Sequence, residues 1–464
     1  MAVSAGATFL AFLDTTVVNV AFPALHQDFP TTSVADLTWT VSAYAVLFAA
    51  LLTPAGRLAD VLGRRRLLLG SMAGFVLASA LSAAAPNIGV LIAARALQGF
   101  FAAGMIPAGL GVVLAEVPPE RRVAAVGVWG AAGSLAAAAG PSLGGVLIEY
   151  TSWRSVFLIN VPIGLYLVFI GLRGIRKDVP SGHQLPDIVG TVALTTGIAL
   201  FVLGLTKGEN WGWTDGRTLG ALFVGAALVA GALLRSASHP APAVEMSLWQ
   251  SRTFAMANLT SLLAGTAMFA WLLSGPLFLT TVWHYSILKA GLAVTPGALT
   301  SAVAALAIGR RADPRAQRRV ITASMLVFAS VALWMYGALG VEREFLAVWL
   351  PAGLLGGAAL GATLTGLSTA AATSVPLTRF ATGIGLNTTG RQVGGAIGVA
   401  ATAALLARSG LLGPDGFLDV FLFSAVTAVV AALASVGIYA RTASPAPASP
   451  APASTAAPAR SRRS

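Results

Sequence analysis

The chain runs to 464 residues, 56% of them apolar and only 10% charged, with mean hydropathy +0.80. Soluble domains carry about a quarter charged residues, so this chain cannot clothe a water-facing surface, and its surplus apolar area must face lipid. The net charge of +12 comes from basic residues in short clusters between apolar runs, which argues against a nucleic-acid binder. With no cysteine, disulfides, thiolate metal sites and cysteine nucleophiles are excluded.

A membrane-spanning helix needs about 20 mostly apolar residues. Such runs occur near 3–25, 38–56, 67–85, 88–114, 123–148, 155–172, 187–206, 218–235, 253–282, 290–308, 320–340, 345–373, 383–407 and 417–440. The sequence therefore predicts an all-α polytopic membrane protein of about fourteen spans. The first run lacks a basic leader and extends from Ala2 past ordinary signal length, so it reads as a span and not as a cleaved peptide. Beyond Arg441 the chain is Pro/Ala/Ser-rich without periodicity, the composition of a disordered tail.

Lys and Arg fall asymmetrically between the loops. Those after even-numbered runs, with the tail, hold 21 of the 29, among them Arg57, Arg64, Arg65, Arg66, Arg121, Arg122 and Arg379; the other side holds only Arg154, Lys207, Arg217, Lys289, Arg343 and Arg408. The positive-inside rule then puts both termini in the cytoplasm. Only Lys177, Lys207 and Lys289 are lysine, and this bias with heavy Ala and Gly use points to a GC-rich bacterial genome. The four histidines (His26, His183, His239, His284) lie far apart near loops and read as surface residues.

Two loops share a pattern. Gly56, Asp60, Gly63, Arg64 and Arg65 between the second and third runs are echoed by Gly309, Asp313, Arg318 and Arg319 between the tenth and eleventh, a faint two-fold repeat. Gly56 and Gly63 permit close backbone approach or positive φ. Asp60 with Arg64 and Arg65 can form charge-assisted bonds to a neighbouring helix end. Basic anchoring alone explains the arginines but not the Gly-x3-Asp-x2-Gly spacing.

Inside the runs, a few polar residues stand out. Asp14 lies midway along the first, where an acid costs roughly 2.5–3.5 kcal/mol to insert. It reads either as a carboxyl that loads and releases a proton or as half of a fixed ion pair. Arg95 in the fourth run cannot shed its charge, so it faces water or pairs with a carboxyl, with Gln98 one turn on. In the fifth run Gly140, Pro141, Gly144 and Gly145 combine a break in the hydrogen-bond ladder with a slim packing face. Asn387, Arg391 and Gln392 make a polar cluster in the thirteenth, for which a substrate or gating role and a structural one stay open.

The 56–66 loop resembles the signature loop of the major facilitator superfamily, and further segments agree. Leu13 to Pro23, which includes Asp14 and Asn19, is similar to the first-span motif of its fourteen-span drug:proton antiporter branch. Arg95 to Gly99 resembles the fourth-span motif, Gly140 to Gly145 the fifth-span antiporter motif, and Trp153 to Gly164 and Asn387 to Gly395 other stretches of that branch. Val61, Ala136 and Ala316 depart from the family pattern.

The resemblance implies two six-helix bundles, 1–178 and 241–440, with two inserted helices at 179–240 and the tail at 441–464. It implies proton-coupled export of small hydrophobic or amphipathic compounds, with Asp14 and Arg95 coupling; Asn19, Gln98, Asn387, Arg391 and Gln392 are expected to form a substrate cavity or a polar cluster. Gly56, Asp60, Gly63, Arg64 and Arg65 would form the gate, and Gly140, Pro141, Gly144 and Gly145 would bend and pack the fifth helix. No cofactor beyond the proton gradient, no metal, and a monomer in the bacterial cytoplasmic membrane are expected. Uptake by the same fold is the alternative. A membrane-embedded enzyme or sensor finds no support: there is no His-Glu-x-x-His, no phosphate-binding Gly-x4-Gly-Lys loop and no cluster of catalytic acids.

Overall fold

The computed structural model describes residues 1–30, 32, 34–177, 185–308, 314–409 and 414–438. The expected 178/179 boundary, the second copy of the loop motif at 309–313 and the tail lie outside these residues. Side chains at Asn19 and Pro141 also lie outside the description. Among the described residues every regular element is helical.

Fourteen long helices follow the fourteen apolar runs: α1 (Ala2–Val20), α2 (Trp39–Leu62), α3 (Arg64–Ala83), α4 (Ile88–Glu116), α5 (Arg122–Tyr150), α6 (Asn160–Gly174) and α7 (Ile188–Trp211). They continue as α8 (Gly216–Ser238), α9 (Arg252–Thr281), α10 (Ile287–Ile308), α11 (Pro314–Ala338), α12 (Leu350–Thr373), α13 (Phe380–Ser409) and α14 (Asp415–Ser435). Eleven helical segments are long and apolar enough to cross a membrane, twelve when α5 is taken across its bend. The two that fall short are α1, which is short, and α13, whose middle is polar at Asn387, Arg391 and Gln392.

Local chemistry sets the ends. The first run was expected to reach residue 25, but α1 stops at Val20 and a separate helix begins at Phe22 with proline in its first turn. Asn87, Asp187, Asp215 and Ser251 cap α4, α7, α8 and α9 by accepting a first-turn amide. Pro54, Pro107, Pro276 and Pro296 sit inside helices, tolerated because neighbouring helices shield the interrupted ladder. The axis of α5 turns by 43° between the segment ending at Ala137 and the one starting at Ser142.

Packing sorts the helices into three groups. α1 lies against α4, α5 and α6, while α3 and α4 close the same bundle; α9 packs on α12, α13 and α14, and α11 on α12 and α14. α7 and α8 pair with each other, and α7 leans on both α2 and α13. The two bundles meet where α13 touches α2 and α4 and where α5 touches α10 and α12. In its most apolar stretch α4 is 83% buried and α8 only 17%, so α4 is a central helix and α8 a rim helix facing lipid.

A buried carboxylate cluster and an inter-bundle seal

Asp14 is wholly buried on α1, and four other helices supply its polar surroundings. Arg95 of α4 donates to Asp14 Oδ2 as an ion pair, and its Nη1 also reaches Gln98 Oε1 at 2.8 Å. Asp14 Oδ1 accepts from Gln98 Nε2 at 3.2 Å and from Asn160 Nδ2 of α6 at 3.0 Å. Ser79 of α3 accepts from both amides, at 2.6 and 3.1 Å, and Ser82 donates to Gln98 Oε1 at 3.0 Å. From α2, the Thr40 carbonyl takes Arg95 Nε at 2.9 Å and the Tyr44 ring lies 4.4 Å from the guanidinium carbon.

A charge in a dry interior is tolerated when it is paired and its remaining lone pairs are satisfied. The Asp14–Arg95 pair is neutral as a unit, and the amides and hydroxyls complete its bonding. The structure thus shows the ion-pair form within one bundle. A proton reaching Asp14 would neutralise the carboxylate and leave Arg95 without its counter-charge.

The α2–α3 turn is the second polar centre. Gly63 adopts φ of +110°, a conformation open to glycine and costly for other residues. At Gly56 a side chain would strike the Ala381 carbonyl of α13, so the two bundles touch here backbone to backbone. Asp60 accepts from the Ala381 and Thr382 amides at 3.3 and 2.8 Å and from Thr382 Oγ1 at 2.8 Å. A carboxylate at the first turn of α13 meets unpaired N–H groups and the positive end of the helix dipole. Arg64 holds Asp60 at 2.7 Å and reaches across to the Leu377 carbonyl at 2.6 Å, whereas Arg65 caps the end of α6 at the Leu172 carbonyl, 2.7 Å away.

Sequence reasoning missed Glu245, a buried acid in the segment between α8 and α9. It pairs with Arg57 of α2 at 2.6 Å and with Arg379 before α13, so it ties both bundles together at this end. A cleft of about 430 Å³ opens beside it, lined by Arg57, Ser236, His239, Glu245 and Arg379. The signal was an isolated acid in an apolar stretch. Asn160 was also missed as a site residue, although it lies within the Trp153–Gly164 motif.

Contacts between bundles continue from this end to the Thr53–Thr389 hydroxyl bond at 2.8 Å and the Ser134–Ser301 bond at 2.9 Å. Of the residues expected to form a substrate cavity or polar cluster, those with described side chains fall into two separate places. Gln98 belongs to the Asp14 cluster, and Asn387 donates to Ser261 of α9 at 2.7 Å. Arg391 is buried at 4% exposure, and Gln392 carries a buried amide oxygen with no donor. Gly140 and Gly144 abut Thr16 and Val17 of α1, leaving no space for side chains; Gly145 faces open space.

Comparison with known proteins agrees on the fold and kinship. The family model described as Major Facilitator Superfamily matches residues 5–283. The chain is 32% identical over 406 residues to a multidrug resistance protein B homolog of Mycobacterium tuberculosis, covering 86% of this chain and 74% of that one. It is 34% identical to a cephamycin export protein of Amycolatopsis lactamdurans, covering 85% and 82%, and 34% identical to a puromycin resistance protein of Streptomyces alboniger, covering 87% and 82%. A crystal structure of the human organic anion transporter MFSD10 superposes with TM-score 0.69 at 16% identity, over 94% of this chain and 98% of the other.

Proposed function

The chain belongs to the major facilitator superfamily, and on that premise we propose that it exports small hydrophobic or amphipathic compounds, drugs or antibiotics among them, in exchange for protons. The observation that carries proton exchange is Asp14, wholly buried and bonded to Arg95, Gln98 and Asn160. Protonation breaks the charge balance with Arg95, and loss of the proton restores it, so occupancy of the carboxyl biases the packing of α1, α4 and α6. One proton falling through 100 mV supplies about 2.3 kcal/mol, enough for about fiftyfold accumulation of a neutral cargo.

In this reading α1–α6 and α9–α14 are the two moving bundles, α7–α8 an inserted pair, and all fourteen helices span. Both termini and the α2–α3 turn lie on the cytoplasmic side of a bacterial inner membrane, which makes the sealed end the cytoplasmic gate. The conformation is then the one open to the outside. Asp60, Arg64 and the Arg57–Glu245–Arg379 cluster hold that gate shut, and the bend of α5 gives the bundle a place to flex. The working unit is a monomer driven by the proton gradient, without a bound cofactor. The test is cargo uptake into inverted vesicles driven by an imposed pH gradient. Asp14→Asn, which keeps shape and removes the titrating group, is expected to lose at least 90% of gradient-driven transport; full coupled transport by that variant would overturn the assignment.

A further inference from the structure

Of the buried arginines, Arg95 and Arg57 each face a carboxylate. Arg391 does not. It is 4% exposed, and among the described residues it makes no hydrogen bond or ion pair. From α9 to α14 the described acids, Glu342, Glu344, Asp415 and Asp419, lie between helices or near a helix end. Among the described residues the C-terminal bundle therefore holds a permanent positive charge at depth with no carboxylate beside it, whereas the Asp14–Arg95 pair leaves the N-terminal bundle neutral there.

Its level in the bundle matters. Contacts of α13 with α2 run from Asp60–Thr382 past Gly385 against the Leu52 carbonyl to Thr53–Thr389, and Arg391 comes just beyond that last bond. It stands eleven residues past the start of α13, about 16 Å along a helix and close to the middle of a 30 Å hydrocarbon layer. Gln392, next to it in sequence, carries a buried amide oxygen without a donor among the described residues, a second uncommitted polar group at this level. A guanidinium that cannot deprotonate and has five donors in a planar fork pairs bidentately with a carboxylate, whose single negative charge balances its own.

We propose that Arg391 is the subsite for a carboxylate on the cargo, so that the preferred compounds are amphipathic acids. The idea rests on the export reading above, since it takes the space past the seal to be the cargo site. The acid of the cargo supplies the counter-charge that the bundle lacks. By the same balance, cationic compounds are disfavoured.

The experiment uses the full chain in nanodiscs and the matched pair 1-pyrenebutyrate and its methyl ester, titrated by calorimetry with empty nanodiscs subtracted. The wild type is expected to bind the acid at least tenfold more tightly than the ester. Arg391→Gln should bring that ratio close to one, and Arg391→Lys should keep most of it. A wild-type ratio near one, failure to bind the acid, or a ratio that survives Arg391→Gln overturns the subsite. A structural arginine would weaken both ligands alike and leave the ratio unchanged, which also overturns it. Asp14→Asn separates the two readings: it should keep the acid preference while losing proton-driven movement in proteoliposomes. If the wild type binds the acid selectively but moves neither compound, the export reading fails and the subsite stands.

Discussion

Single side chains at the α2–α3 turn do what no apolar contact could do there. Asp60 takes three bonds from the first turn of α13 and one ion pair from Arg64, so one carboxylate joins both bundles. Loss of a helix cap costs about 0.5–2 kcal/mol, and a charge-assisted bond lies at the upper end of that range. Asp60→Ala is therefore expected to shift the population away from the sealed state by roughly five- to thirtyfold. Because the chain has no cysteine, a cysteine introduced at Thr382 reports this directly. Its labelling by a membrane-impermeant maleimide from the gate side should rise in Asp60→Ala, and an unchanged rate would show that Asp60 does not hold the seal.

The α7–α8 hairpin shows how one element is anchored. Asp187 caps α7 through the Gly190 amide at 3.0 Å and clasps Arg235 near the end of α8, so the base of the hairpin is closed by one carboxylate. The Arg235 guanidinium, assisted by the Gly190 amide, holds the Asp187 carboxyl below its ordinary value of 3.8. A depressed acid stabilises the folded form above its unfolded value, and that contribution is lost as pH falls through the lowered one. Amide exchange at Gly190 and Thr191, corrected for intrinsic rates, should stay slow from neutral pH down to about 5 and accelerate below about 4. In Asp187→Asn the protection should be weaker at neutral pH and flat across this window; a wild-type profile that is itself flat would remove the carboxylate from the account.

Across the whole molecule, hydrophobicity made the helices legible because a span is long and its apolar signal is redundant. The fourteen runs and the helices differ mainly at ends, such as Val20, where proline chemistry decides. The partners of Asp14 were less legible. Arg95 and Gln98 stood out as polar residues in an apolar helix, but Asn160 and Ser79 reach the site only through the rotation of α6 and α3, which an all-round apolar helix does not encode. Glu245 stood out in sequence only as an isolated acid: its partners Arg57 and Arg379 lie 188 residues before it and 134 after it, so only the meeting of the bundles reveals its role.

The described cross-bundle hydrogen bonds run from the α2–α3 end to the level of Thr53 and Ser134, which gives alternating access a concrete form. In the proposed export cycle the bundles rock apart along α2 and α13, and the Thr53–Thr389 bond breaks. Their hydroxyl oxygens are 2.8 Å apart, a spacing that brings two cysteine sulfurs within reach of a disulfide. Thr53→Cys with Thr389→Cys, in a chain otherwise free of cysteine, should cross-link under mild oxidation and lose more than 90% of transport, with recovery on reduction. Each single variant should transport with or without oxidant. Complete cross-linking with transport intact would mean that the bundles do not separate along this seam, and that the seal at Asp60 and Glu245 is a static joint and not a gate.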